Sequence, residues 1–521
     1  MKKTTLLLFL IGLYFSTSAQ YGGLDPTFGV NGIATFDMAP TTNAAAWGYG
    51  SCLQSDGKII IVGQVYINNT AKHDFAFLRL NADGSLDTSF GNQGRAVYDM
   101  LNRDNMLTTV IQLPNGKILG VGNNFQGNLN DIVLVMLNQD GTLDTTYGNN
   151  GFYVIGSPSL VENAYGIIAL QNGKFLLSAV QYAPAAVQHA FALIRLNADM
   201  TLDATFGVNG IKTFPQFENG DRVPINELPD GSIVFSTSNM IVSLGTWVDY
   251  VIVKCDANGA IDTTFGNQGN TRIDILGIPS QTDIPYCQFV QDDGKIVVAG
   301  MTWVNSQANV FSVCRLNPDG SKDTTFGNGG TNHFNYAIGD NDGANGVIRR
   351  INGKYVLGGY TRHSTAYENF GLLFLNADGT RDTSFGVNGL VTTDISGLDM
   401  LMNIFELADG KILATGDTGN FGQAGFTAVR YTVEPNLSVD GHSAADVSIY
   451  PNPVSSTLSV EAANLSEFDV TVYDVTGRSL MTKSSQNTGR VALSGFDRLP
   501  KGTYIVQLES EKTKRSWKIL H

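Results

Sequence analysis

Charged side chains are scarce in this 521-residue chain, at 15 % of positions, where soluble proteins average about 25 %. The deficit falls on the cations: 33 Lys and Arg stand against 47 Asp and Glu, for a net charge of −14. Such a surface repels a phosphate backbone and argues against nucleic acid as a partner. Only four cysteines occur, at 52, 255, 287 and 314, with no C-x-x-C spacing. No dense cysteine framework is present, and buried free thiols are expected in preference to disulfides or a metal site. Six histidines are present, none in H-E-x-x-H or H-x-H spacing, and neither a G-x-S-x-G elbow nor a P-loop occurs. No nucleophile therefore stands with its base, and no catalytic residue is assigned. Long apolar runs are missing too. Leu6 to Phe15 follows Lys2-Lys3 and precedes Thr17-Ser18-Ala19. That run is shorter than the roughly 18 residues a membrane span needs, and its order is that of a secretory signal peptide, residues 1–19.

Glycine is plentiful instead, 58 of 521 residues, and 43 % of positions are apolar, enough for a core and too irregular for collagen. Many of the glycines sit in two recurring phrases. The first, Leu86-Asp87-Thr88-Ser89-Phe90-Gly91 in one copy, ends at Gly29, Gly91, Gly148, Gly207, Gly266, Gly327 and Gly386, at intervals of 62, 57, 59, 59, 61 and 59. The second is Asp56-Gly57-Lys58 and its counterparts at Asn115, Asn172, Asp230, Asp293, Asn352 and Asp409, with Ser232 replacing the lysine in the fourth. Asp-Gly or Asn-Gly between apolar runs marks a tight hairpin. One period then contains four short strands, roughly 32–38, 47–54, 58–66 and 74–81, and no helical pattern intervenes.

A lone sheet of this kind leaves both faces wet, and seven of them can bury those faces by closing into a wheel. The first Leu-Asp phrase lacks a preceding strand, while the strand Phe426 to Tyr431 lacks a following phrase. Joining them completes the last copy. The expected fold is all-β: a seven-bladed β-propeller over residues 21–433, a linker at 434–446, and a small immunoglobulin-like β-sandwich at 447–521. Each phrase aspartate, such as Asp25 or Asp87, stands two before a Ser or Thr and is expected to shape an Asx turn. Calcium sites on these aspartates are the alternative, with one carboxylate per copy against the six to eight oxygens the ion takes.

The Leu-Asp-Thr-Thr-Phe-Gly phrase at this spacing resembles the bacterial delta-60 repeat, which implies a propeller-like fold without an agreed activity. The last eighty residues carry Ile449-Tyr450-Pro451-Asn452-Pro453, Val472-Tyr473-Asp474 with Gly477-Arg478, and Leu499-Pro500-Lys501-Gly502-Thr503-Tyr504, and end on the basic strand Trp517-Lys518-Ile519-Leu520. This segment resembles the type A C-terminal sorting domain of the Bacteroidetes type IX secretion system. The resemblance implies that residues 447–521 address the chain to an outer-membrane translocon, so that the product is secreted or displayed on the cell surface, without a membrane span.

Two sets of residues are candidates for binding. Asp37, Asp99, Asp274, Asn335 and Asp394 share one column at the end of the strand that follows each Leu-Asp phrase, with Gly156 and Pro215 in the other two copies. If that strand lines the central channel, their oxygens converge at one mouth and Ca2+ is the cation they would take. The competing reading is that they end strands and bond the next turn. Tyr66, Tyr182, Trp303, Tyr360 and Tyr367 lie near the loops that vary most between copies, where a rigid scaffold commonly places its binding residues, and could stack on sugar rings. The function expected is a monomeric, non-catalytic propeller for adhesion or binding of an extracellular glycan or protein. The alternative is a polysaccharide hydrolase or lyase with Asp99 and Asp274 as general acid and base.

Overall fold

The computed structural model describes residues 22–38, 45–66, 72–184, 189–217, 222–238, 248–278, 281–305, 308–334, 341–362, 367–419, 424–433, 447–450, 454, 456–462, 465, 467–474, 478–486, 489–510 and 514–521. The leader, Asn335, His363, most of the variable loops and Pro451 to Pro453 lie outside them. The chain forms two compact units, residues 1–435 and 436–521.

In the first unit the Asp-Gly turns do what their sequence demands. Gly57 takes φ 83°, which a residue without Cβ adopts freely, and folds Ala45–Leu53 back on Ile59–Tyr66. Ile59–Tyr66 pairs in turn with His73–Leu80, and that strand with Arg95–Tyr98. Five further four-stranded sheets repeat this antiparallel order, opening with Asp104–Gln112, Val161–Ala169, Ile225–Glu227, Asp283–Val290, Gly343–Arg349 and closing with Phe152–Ile155, Ile211–Phe214, Asn270–Ile273, Thr331–Phe334, Leu390–Thr393, the first two of them joined by one parallel bridge, Val161 opposite Asn130. The seventh holds Leu398–Glu406, Ile412–Gly419 and Gly425–Thr432. Its fourth strand comes from the other end of the chain: Ile33–Phe36 pairs with it, Ile33 opposite Val429, and Gly23–Leu24 lies alongside on the same strand.

Each sheet is packed between two others, which explains why the middle strands read as unbroken apolar runs rather than alternating ones. Apolar clusters fill the gaps between successive sheets. Ile60, Val62 and Phe77 of the first sheet meet Leu107 and Ile118 of the second, and Phe426 and Ala428 of the last meet Ile61 and Leu78 of the first. The wheel is therefore shut by side-chain packing as well as by hydrogen bonds.

The order within the sheets corrects one expectation. The strand after each Leu-Asp phrase is the fourth of its sheet, paired backward onto the third, and the longer strand that follows it opens the next sheet. The opening strands are the ones that touch each other around the wheel. The four-residue strands after the phrase are at its periphery, and the phrase itself is a hairpin connection.

Each phrase aspartate accepts bonds from the amide and hydroxyl two residues on, as the Asx-turn reading expects; for Asp203 these are Thr205 N at 3.1 Å and Oγ1 at 2.6 Å. It also receives the lysine of the Asp-Gly-Lys turn, Lys174 Nζ at 2.6 Å. In four copies an arginine on the third strand completes the cluster: Arg79, Arg195, Arg315 and Arg430 donate Nε at 2.7 Å to Asp87, Asp203, Asp323 and Asp25. Arg195 then donates Nη1 to the Ala257 carbonyl of the next sheet at 2.7 Å and lies 4.5 Å from the Phe206 ring centroid. In the fourth sheet, where Ser232 replaces the turn lysine, Lys254 from the arginine column reaches Asp262 at 3.4 Å. Burial alone would raise the carboxyl of Asp203; the lysine, hydroxyl, amide and arginine around it hold it well below the usual carboxylate range. The oxygens a calcium ion would need are thus already occupied by cations of the chain.

The second unit has two sheets over one core. Val447–Tyr450, Thr457–Ala462 and Arg490–Ser494 form one, and Ser479–Gln486, Glu467–Tyr473, Thr503–Glu509 and Lys514–Leu520 the other. Alternate residues Leu458, Val460, Val470, Val472, Val506 and Leu508 face inward together, as period-two patterning requires.

Candidate functional site

A cavity of about 420 Å³ is lined by residues from the opening strands of all seven sheets or the segments leading into them, and so lies on the axis of the wheel. Its lining follows from one local irregularity repeated around the ring. In six opening strands the pairing skips one residue, a β-bulge: Tyr49, Thr108, Tyr165, Tyr286, Asn345 and Met402. All six line the cavity. A bulge re-aims the side chain of the unpaired residue, and here it turns each one toward the axis. The neighbouring strand makes room with glycine: a Cβ on Gly122 or Gly416 would run into the carbonyl oxygen of Met106 or Met400. In the fourth sheet the opening strand is only Ile225–Glu227, and Arg222, Val223 and Pro224 take the corresponding place in the wall.

The wall is aromatic, amidic and thioether in character. Gln64 Nε2 donates to the Tyr49 hydroxyl at 3.2 Å, and the Tyr286 hydroxyl points at Met301 Sδ, 3.7 Å away. Thr108 Oγ1 donates to the Ala164 carbonyl of the next sheet at 2.9 Å, and Asn345 Nδ2 to that of Leu401 at 2.7 Å. Arg222 Nη2 contacts Met402 Sδ at 3.0 Å, with its guanidinium 5.6 Å from the Tyr286 centroid. Within electrostatic reach of Arg222 and Tyr49 lies Asp417, 4 % exposed, whose Oδ1 has no hydrogen-bond partner among the described residues. Burial, reinforced by Asp399 and opposed by Arg222, pushes the Asp417 carboxyl up to about 8. Burial, and secondarily Asp417, pushes the Tyr49 hydroxyl above its ordinary value. The lining offers stacking faces, amide and hydroxyl groups and one guanidinium, with the Asp417 carboxyl buried behind it.

None of the residues proposed from sequence is in that lining. Asp37, Asp99, Asp274 and Asp394 are at the ends of the peripheral strands on four different sheets, and Asn335 lies outside the described residues. The expectation that they converge on a channel mouth is therefore corrected. Asp99 Oδ2 accepts from Asn102 N at 3.1 Å, and Asp274 Oδ1 from Gly277 N at 2.7 Å, so these two bond their own turns. Asp99 and Asp274, on the first and fourth sheets, do not face one another as an acid and base pair. Among the described residues no group of three His, Cys, Asp or Glu is placed to hold a metal ion.

The aromatic candidates lie at the end of the sheets where the opening strands begin. Tyr182 stacks on His189 at 4.0 Å, and Tyr66 lies tilted against His73, the first residue of its strand, at 5.5 Å. Trp303 and Tyr367 are 40 % and 49 % exposed. Tyr360 is tucked in: its hydroxyl accepts from Asn309 Nδ2 at 3.2 Å and approaches Met301 Sδ at 3.4 Å, the same sulfur that Tyr286 contacts. The cavity residues had a signal of their own. Tyr49, Thr108, Tyr165, Tyr286, Asn345 and Met402 each stand seven positions ahead of the Asp or Asn of an Asp-Gly or Asn-Gly turn.

Fold and site together define an all-β propeller with an axial cavity. Comparison with known families places the beta-propeller domain of unknown function DUF5122 at residues 54–90, 113–147, 291–326 and 352–385, and a secretion system C-terminal sorting domain at 448–521. The chain is thus a propeller of delta-60-like repeats with a type IX sorting tail, exported to the cell surface or the extracellular space. Among the described residues no helix is long and apolar enough to cross a membrane.

An endo-acting ulvan lyase of Formosa agariphila is 29 % identical over 87 residues, 16 % of this chain and 17 % of that protein. Among solved structures, a protein of unknown function from Dyadobacter fermentans is similar with a TM-score of 0.39 and 11 % identity, over 80 % of this chain and 98 % of that one. The polysaccharide lyase Uly1 is similar with a TM-score of 0.44 and 10 % identity, over 76 % and 91 %.

Proposed function

We propose that this is an exported binding propeller that acts outside the cell, with the axial cavity as its ligand site and the seven sheets as the blades of one closed ring. The observation that carries this reading is the repeated bulge: six sheets each depart from regular pairing at the one position that turns a side chain into the same cavity. Strand irregularities recur where a side chain must be re-aimed, and a concave site with aromatic walls and a few converging polar groups is the usual form of a ligand pocket. Tyr66, Tyr182, Trp303, Tyr360 and Tyr367 supply an outer rim on the variable-loop side, where a longer glycan would continue. A glycan array probed with the wild type and with Tyr165→Ala tests this. Binding that the substitution removes is expected; array binding indifferent to Tyr165 would place the site elsewhere.

A second reading, an extracellular polysaccharide hydrolase or lyase, is favoured by Asp417, a carboxyl that stays protonated near neutrality close to Arg222 and Tyr49. Release of new reducing ends or unsaturated sugars from a polysaccharide, lost in Asp417→Asn, would establish it.

A further inference from the structure

Arg222 is the one charged residue in the cavity lining, and among the described residues it makes no ion pair. Its one hydrogen-bond acceptor there is the Met402 sulfur at 3.0 Å. A thioether is a weak acceptor, and a guanidinium carries five donors in a planar fork. Asp417 lies within electrostatic reach of Arg222, but burial pushes its carboxyl up to about 8 and so weakens it as a counterion. The rest of the lining is uncharged: Tyr49, Tyr165 and Tyr286 offer ring faces, and Asn345, Asn403 and Thr109 offer amide and hydroxyl groups. A partly enclosed, unpaired guanidinium is costly unless an anion completes it. Its planar fork fits the two oxygens of a carboxylate or a sulfate group.

We propose that the cavity takes a sugar carrying an anionic group, carboxylate or sulfate, with that group on the Arg222 guanidinium and the apolar ring faces against Tyr49, Tyr165 and Tyr286. The proposal rests on the axial cavity being the ligand site. A cationic ligand is disfavoured by Arg222, and a neutral one leaves the guanidinium unmatched. The chain's net charge of −14 gives it no general attraction for polyanions, so selectivity for acidic sugars has to come from the site.

Calorimetric titration of the purified protein with a galacturonate tetrasaccharide, a sulfated galactan tetrasaccharide and a neutral laminari-tetrasaccharide tests it. The variants are Arg222→Gln, Arg222→Lys and Tyr165→Ala, each checked for wild-type thermal unfolding. A hydrogen bond to a charged group contributes about 1.5–3 kcal/mol, so Arg222→Gln is expected to weaken the acidic ligand at least about tenfold. Arg222→Lys should keep part of the preference, and the neutral sugar should bind weakly to all. Whichever of the two acidic tetrasaccharides binds identifies the anionic group. Equal affinity for acidic and neutral sugars, unchanged in Arg222→Gln and lost in Tyr165→Ala, overturns the anion while leaving the cavity as the site. Binding insensitive to Tyr165→Ala, or none of the three sugars, overturns the cavity reading itself.

Discussion

Replacing Asp203 by alanine separates two jobs that its carboxylate performs. It shapes the turn through Thr205, and it compensates Arg195, whose side chain is only 6 % exposed. Without the carboxylate the guanidinium keeps its bond to the Ala257 carbonyl but remains a buried charge without a counterion. Breaking a buried pair in this way costs about 3–5 kcal/mol. The same substitution at Asp144 is the control. Its turn is identical, with Thr146 donating both amide and hydroxyl, but the arginine column holds Met136 there, opposite Leu119. Its remaining cation, Lys117, is 34 % exposed and can swing into water. The loss at Asp144 should be about 1.5–3 kcal/mol, the worth of a charged hydrogen bond alone. Urea unfolding of both variants, compared at constant m-value, gives the difference directly. Equal losses would refute the reasoning, because they would mean that the turn rather than the buried arginine sets the cost. Asp203→Leu combined with Arg195→Met supplies an internal check: removing both charges should restore part of what Asp203→Ala loses.

Acid and base act on different aspartates. The phrase carboxylates are depressed in the folded state, so their contribution is whole above pH about 4 and is lost as the pH falls below it. Asp417 runs the other way: its folded value of about 8 lies above the unfolded one, so its penalty grows as pH rises from about 4 to 8. Asp417→Asn should therefore stabilise the protein more at pH 8 than at pH 5 in denaturant titrations, and a gain independent of pH would contradict the assignment. Burial pushes the Cys255, Cys287 and Cys314 thiols up to about 12, and no cysteine is bonded to another. These three should resist maleimide in the native protein and react in denaturant; native labelling of any of them would count against the packing described. Removal of residues 447–521 should strand the propeller inside the outer membrane, and cell fractionation showing undiminished surface or medium protein would contradict the role of the tail.

The repeat, the hairpins and the closing of the ring by its two chain ends were legible because each rests on local chemistry: the positive φ of glycine, the Asx turn, and an unpaired strand at either end. The register of the unit was not. A phrase that ends one strand and begins another carries no direction of its own, so whether Ile33–Phe36 belongs with what precedes or follows it is decided by tertiary packing. Strand length carries that information. The strands after the phrase have four residues, whereas five of the opening strands run to eight or nine, long enough to hold a bulge and still pair on both sides of it.

That choice of register decides which residues can meet. Placing the phrase-following strand on the axis brings Asp37, Asp99, Asp274 and Asp394 into imagined convergence, whereas on the periphery each is a turn residue of its own sheet. Placing the next strand on the axis brings Tyr49, Tyr165, Tyr286 and Arg222 together instead. The substitutions allowed at the bulge follow from the same geometry. In five sheets an opposing glycine fixes the backbone there, while the side chain that enters the cavity takes no part in the repeated turns and is free to differ between copies, as Tyr, Thr, Asn and Met do. A wheel built on nearly identical phrases thus keeps its variation at two places, the loops on one end and the bulged residues on the axis, and the second is where a ligand would be told apart from its relatives.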